Sequence, residues 1–375
     1  MSDTTPFGTF FVPGPTEIRP EILAQMTRPM IGHRGRAFEA MFARIEAGLR
    51  DVFLTSRPVY VGAASATGFM EMAIRNLPDG AILSLVNGGF SERFAKVAES
   101  CGRRVERIIV PWGSTFDLDV VEAKLASEKF VALTVAHSET STGVLTDVRA
   151  LAPIAHLHDT LLIVDSVSGM GGAKLTVDES GFDFVLTGSQ KALALPAGLA
   201  FAVASTDYME RAKSATNRGF YFDILQYDSY AAKNQTPSTP ATSLLYALEA
   251  QMGDIGREGI ERRWDRHIAM RDATIEWVNG MPERRGVKLS IVAPEGSRSP
   301  TVTTIRLPDG MNTKEVREAI TARGITVGGG YGQLAETTFR IGHMGDHTLD
   351  GVQRCLHTCE AVITELAERK RLVRV

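Results

Sequence analysis

The chain has 375 residues, more than one ordinary hydrophobic core organises, so two domains are expected. Hydrophobic residues make up 44% and charged residues 23%, and the net charge of −3 gives no electrostatic case for nucleic acid or an anionic membrane as partner. No apolar run approaches the roughly 20 residues of a membrane helix. The N-terminus lacks the layout of a signal peptide, and three cysteines (Cys101, Cys355, Cys359) make no disulfide framework, so a reducing cytoplasm is expected.

Residues 1–20 read as an extended arm rich in Pro and Gly (Val12-Pro13-Gly14-Pro15-Thr16). A helix over 37–53 follows, with Phe38, Met41, Phe42, Ile45 and Leu49 on one face. From there to about residue 205, strand-like runs (59–61, 81–86, 105–110, 130–136, 161–164, 182–186, 199–204) alternate with helical segments (68–76, 91–101, 119–127, 147–158). Such alternation predicts a seven-stranded, mainly parallel sheet between helices. Residues 206–240 are less regular; their prolines (Pro237, Pro240) make the second half a loop. A long helical pattern over 243–279, broken near 253–259, leads into a smaller α+β unit. Its strands are expected near 287–291, 302–307, 325–327 and 339–341, and its helices near 313–323 and 348–370. The division is an arm (1–20), a large domain (21–260) and a small C-terminal domain (261–375).

Candidate functional segments fall where strands pass into turns. Lys191, in Gly188-Ser189-Gln190-Lys191, and Asp165, in Val164-Asp165-Ser166-Val167, each follow an apolar run. Ligands of open α/β sheets collect at that edge. A lysine and an acid there suit pyridoxal phosphate: the amine forms a Schiff base and the acid keeps the pyridine nitrogen protonated. Gly62-Ala63-Ala64-Ser65-Ala66-Thr67-Gly68 opens a helix and suits a phosphate. Asn87-Gly88-Gly89-Phe90-Ser91 offers an aromatic for a flat ring, and His137-Ser138-Glu139-Thr140-Ser141-Thr142-Gly143 offers hydroxyls. Arg340, among apolar neighbours, is a fork for a carboxylate. Taken singly, each has an ordinary reading: a capped turn, a core phenylalanine, a polar turn, an N-cap acid, a solvated lysine, an edge arginine. Their joint order is what carries the pyridoxal phosphate reading.

With these residues in place, the chain resembles class V aminotransferases of pyridoxal phosphate fold type I, in the alanine–glyoxylate and serine–glyoxylate (serine–pyruvate) branch. The matching text is Pro13-Gly14-Pro15-Thr16, Glu139-Thr140-Ser141-Thr142-Gly143, Val164-Asp165-Ser166-Val167, Gly188-Ser189-Gln190-Lys191-Ala192-Leu193, Ser299-Pro300-Thr301-Val302-Thr303 and Arg340-Ile341-Gly342, spread over nearly the whole chain. The resemblance implies that Lys191 and Asp165 are catalytic and that both contact the cofactor. It implies that Phe90 stacks on one ring face and Val167 presses on the other. Ser65, Ala66, Thr67 and Gln190 would hold the phosphate, and Thr140 would lie near the phenolate oxygen. Thr239 and Thr236 would reach the phosphate from the second subunit of a homodimer, and Arg340 would clamp the substrate α-carboxylate.

The expected activity is transfer of an amino group from a small amino acid (alanine or serine, with aspartate open) to a 2-oxo acid, glyoxylate, by a ping-pong mechanism. His33 and Arg34 could reach a second carboxylate across a dimer, and Gly328-Gly329-Gly330-Tyr331-Gly332 either lines the substrate pocket or forms a surface loop. The alternative is a lyase of the same fold, of the cysteine desulfurase kind, which needs a thiolate on a mobile loop; all three cysteines lie within helical patterns. A nicotinamide enzyme lacks its Gly-x-Gly-x-x-Gly signature here. No metal site is expected: His156 and His158 are two apart, and Cys355 and Cys359 read as core.

Overall fold

The structure, a computed structural model, describes residues 7–372. Residues 1–6 of the expected arm and 373–375 of the expected C-terminal unit lie outside them.

A seven-stranded sheet runs in the order Tyr60–Gly62, Ala200–Ala204, Phe184–Gly188, Leu161–Asp165, Phe130–Ala136, Ala81–Val86, Val105–Ile109. Ala200–Ala204 is antiparallel to both neighbours; the other pairings are parallel. The inner strands are buried on both faces, which explains their continuous apolar runs. One face packs on the helix Arg36–Phe53 through Phe38, Met41, Phe42, Ile45 and Leu49, and the opposite face packs on Ala66–Arg75. The exposed edge strand, Val105–Ile109, carries Glu106 and Arg107 in ion pairs, which blunts the edge against further pairing.

A second, five-stranded sheet runs Phe10–Phe11, Thr326–Gly329, Thr338–Ile341, Thr303–Arg306, Ser290–Ile291. It is covered by Ile260–Arg285, Thr313–Thr321 and Leu349–Leu372 and has its own core around Phe11, Ile305, Phe339 and Ile341. The arm is therefore no free appendage. Phe10 and Phe11 pair in parallel with Thr326 and Val327, and burying the Phe11 ring anchors the N-terminal segment to the C-terminal sheet.

One further segment differs from expectation, and another, the break in the long helix, falls where it was expected. Residues 206–240 hold the helices Thr206–Ala212 and Ile224–Ala231. Ser205 and Asp223 cap them, accepting from the Tyr208 and Leu225 amides. The long helical pattern breaks at Gly259, whose φ of +83° ends Thr242–Glu258 before Ile260–Arg285 begins. Among the described residues no helix is long and apolar enough to cross a membrane.

Phe339 is fully buried in the second core. Phe339→Ala is expected to cost about 3–5 kcal/mol, read as a lowered urea midpoint of unfolding. A shift worth less than about 1 kcal/mol would show that this core is not cooperative with the rest.

Candidate active site

Lys191 follows the buried strand Phe184–Gly188 through the turn Ser189-Gln190. Ser189 fixes that turn: its hydroxyl donates to the Pro196 carbonyl (2.6 Å) and accepts from the Leu199 amide (3.2 Å). Lys191 is buried, and its Nζ donates to the Pro13 carbonyl. The segment carrying Pro13 is strapped over the turn, with the Thr16 amide bonded to the Gln190 carbonyl at 2.9 Å. Gly14 has a φ of +115°, and a Cβ there would lie 2.4 Å from Nζ, so the strap needs glycine for both conformation and space. Burial lowers the Lys191 ammonium to about 8, and the Arg340 charge pushes the same way.

Asp165 ends the neighbouring strand Leu161–Asp165. Its carboxylate accepts from the Val167 amide at 2.8 Å. Burial raises it to about 7, further than that one hydrogen bond and the nearby Lys191 charge bring it back. Lys191 and Asp165 open on one cavity of about 400 Å³, together with Ser65, Ala66, Thr67, Phe90, Val167 and Gln190. Eight of the sequence-predicted positions thus converge. Ser138 of the hydroxyl segment joins them, as do four residues the sequence did not single out: Arg93, Met70, Ser168 and Ala197. Arg93 lies one turn beyond Phe90 on the helix Gly89–Ser100, with its guanidinium 4.9 Å from the Phe90 ring centre. That i, i+3 spacing was the available signal.

The remaining predicted positions sit elsewhere. Thr140 is buried, and its hydroxyl lies 2.5 Å from the Ser168 hydroxyl, so Ser168 rather than Thr140 faces the cavity. Arg340 donates from Nε to the Gly329 carbonyl (2.7 Å) and from Nη1 to the Thr140 carbonyl (3.1 Å). Its Nη2 has no partner among the described residues. Burial lowers Arg340 to about 10. Thr236 and Thr239 line a separate narrow cleft with Val61, Gly62 and Tyr227, away from the Lys191 cavity of their own chain. Arg34 bonds the Thr236 carbonyl at 2.6 Å within the same chain. The glycine-rich 328–332 segment places Tyr331 stacked on Phe90, ring centres 5.1 Å apart, with its hydroxyl accepting from Arg93 at 3.0 Å.

Glu139 holds this wall together. It is fully buried and accepts from the Phe90 and Ser91 amides at the start of Gly89–Ser100, from the Ser91 hydroxyl, and from the amide and hydroxyl of Ser141 (2.6–3.2 Å). A carboxylate at a helix N-terminus with this many donors is well compensated. It fixes Phe90 in place.

The cavity fits a phosphorylated pyridine aldehyde. Ser65 is the N-cap of Ala66–Arg75 yet caps nothing with its side chain, which leaves its hydroxyl and the helix N-terminus for an anion. Gln190 Oε1 is buried without a hydrogen-bond partner. A buried amine, a buried acid and an aromatic ring complete the donor set. Fold and site together define a pyridoxal phosphate enzyme of fold type I. The family described as aminotransferase class-V matches residues 22–345, and the chain belongs to that family.

An uncharacterised aminotransferase of Methanocaldococcus jannaschii is 36% identical over 95% of this chain and 92% of its own length. The L-aspartate–glyoxylate aminotransferase of Paracoccus denitrificans is 34% identical over 95% and 91%. The crystal structure of alanine–glyoxylate aminotransferase from Nostoc superposes with a TM-score of 0.89 at 29% identity, covering 97% of each chain.

A lysine lowered to about 8 is half neutral there instead of near 10.5, and only the neutral amine attacks an aldehyde. The rate at which cofactor-free protein captures pyridoxal phosphate, followed by visible absorbance, is expected to rise with pH through about 8. A rise centred above about 10 would show that Lys191 is solvated like an ordinary lysine.

Proposed function

We propose that this aminotransferase moves an amino group from a small amino acid to glyoxylate in two half-reactions. The relatives named above carry the acceptor: both the Paracoccus and the Nostoc proteins are named for glyoxylate. Their donors differ, aspartate in one and alanine in the other, so the donor is drawn from alanine, serine and aspartate. The observation that carries the reading is the buried Lys191 amine and buried Asp165 carboxyl on one cavity beside an open helix N-terminus.

When bound, pyridoxal phosphate supplies an aldehyde for the amine and an electron-withdrawing ring that spreads the charge developing at the substrate Cα. Lys191 would hold the cofactor through its amine, and the free amine would serve as the general base that accepts the substrate Cα proton. Such proton transfer contributes typically ~10²–10⁴-fold. Its lowered pKa of about 8 leaves a far larger fraction of the amine unprotonated near neutrality than a solvated lysine would have. Asp165 would hold a proton at the ring nitrogen, and a cation beside it would favour the charged carboxylate that burial alone opposes. Ser65, Thr67, the Ala66 helix terminus and Gln190 bind the phosphate, and Phe90 and Val167 orient the ring. Arg340, through its unpartnered Nη2, takes the α-carboxylate.

The expected assembly is a homodimer, in which Thr236 and Thr239 reach the phosphate of the other subunit. Their separation from the Lys191 cavity within one chain supports that reading. The composition and the absence of a membrane-spanning helix among the described residues accord with a cytoplasmic site of action.

Lys191→Ala is expected to abolish transamination and the visible absorption of the purified protein. Turnover persisting in that variant would assign the proton transfer to another group. Arg340→Ala is expected to lower kcat/KM for every α-carboxylate donor by a factor worth about 2–5 kcal/mol. An unchanged value across alanine, serine and aspartate with glyoxylate would place the carboxylate elsewhere.

A further inference from the structure

Arg263 is among the largest fully buried side chains, and nothing in the reaction uses it. It lies in the first turn of Ile260–Arg285 and reaches beneath the lysine turn, where its Nη2 donates at 2.7 Å to the carbonyl of Ala192, the residue after Lys191. The same nitrogen donates at 2.9 Å to Asp346, which follows the last strand of the five-stranded sheet. Asp346 in turn accepts from Arg19 Nε at 2.7 Å and from Gln251 Nε2 at 3.1 Å. Burial alone would raise the Asp346 carboxyl, but Arg263 and Arg19 outweigh it and hold it below the usual value. Arg19 lies three residues beyond Thr16, on the segment whose Pro13 carbonyl receives Lys191 Nζ and whose Thr16 amide bonds the Gln190 carbonyl.

The two arginines therefore hold both segments that meet at Lys191. Arg19 tethers the strap above it, Arg263 tethers the backbone just after it, and one carboxylate joins the two. The backbone they hold is tightly specified: Ala194 has a φ of +52°, and a Cβ on Gly345 would lie 3.0 Å from the Ala194 Cβ. An alanine in the left-handed region persists only where its surroundings impose it.

We propose that the Arg19–Asp346–Arg263 triad is a positioning device that aims the Lys191 amine at the cofactor aldehyde, and that it ties this aim to the seating of the five-stranded sheet. The inference rests on the reading of Lys191 as the cofactor lysine. The triad touches neither cofactor nor substrate, so its effect is confined to the step that needs the amine in register. Sub-ångström misplacement of a reacting group is enough to change such a step measurably.

The test compares two ligands that share the cavity. Pyridoxal 5′-phosphate needs both the cup and the Lys191 amine; pyridoxamine 5′-phosphate has no aldehyde and needs only the cup. Cofactor-free wild-type, Arg263→Met and Asp346→Asn proteins are titrated with each. The triad variants are expected to lose roughly tenfold or more in affinity for the aldehyde form and less than about twofold for the amine form. In a Lys191→Ala background, where no covalent capture occurs, adding Arg263→Met is expected to change neither affinity.

Equal losses for both ligands would overturn the proposal by showing that the triad only supports the fold. Unchanged affinities would overturn it as well. Should Arg263→Met not fold, Arg263→Lys keeps a charge beside Asp346 without the fork to Ala192, and the same selective loss is expected of it; wild-type behaviour in that variant overturns the proposal. A wild-type protein that bound neither ligand would instead remove the cofactor reading itself.

Discussion

Desolvating an amine and a carboxyl within one cavity is the constraint on which the rest of this structure depends. Each side chain has a single hydrogen bond to protein among the described residues: Lys191 to the Pro13 carbonyl, Asp165 from the Val167 amide. Removing a charge from water with so little compensation is unfavourable, and both groups shift toward neutrality in response. A charged heterocycle with an aldehyde would relieve both at once, since it would give the acid a cation and the amine a covalent partner. Such a ligand would offset part of the cost of building its own site, and its binding would stabilise the folded protein by mass action.

Glu139 shows the opposite treatment of the same chemical group a short distance away. It is as deeply buried as Asp165, yet it collects donors from Phe90, Ser91 and Ser141. One carboxylate is saturated by the protein and serves as a structural anchor; the other is left under-satisfied and is available for chemistry. Environment, not residue type, divides the roles.

The parallel sheet was legible because its strands are buried on both faces and read as unbroken apolar runs, as in Leu161-Leu162-Ile163-Val164. Lys191 and Asp165 were legible because a charge at the end of such a run is conspicuous. The short helices around Ser205 and Asp223 were not read, although both caps were present, since the nearby aromatics and prolines suggested a loop. Phe10–Phe11 escaped notice as a strand because its partner, Thr326–Gly329, lies more than 300 residues away in sequence, and local pattern carries no information about such pairing. That Ser168 lines the cavity with the Thr140 hydroxyl bonded to it is a matter of side-chain direction, which spacing does not fix. Arg263 carries no local signal of burial; the three-dimensional placement of Glu258, Asp346 and Ala192 shows why it can be buried.

The strap has a consequence for biosynthesis. Residues 10 and 11 find their pairing partners only at 326 and 327, more than 300 residues later in the chain. The carbonyl that receives the lysine belongs to that same early segment. The seven-stranded sheet is complete in sequence by Ala204, so a growing chain can assemble it while the strap over position 191 still lacks the strand that tethers it. A product terminated between those points would carry the lysine without the pairing that seats its strap.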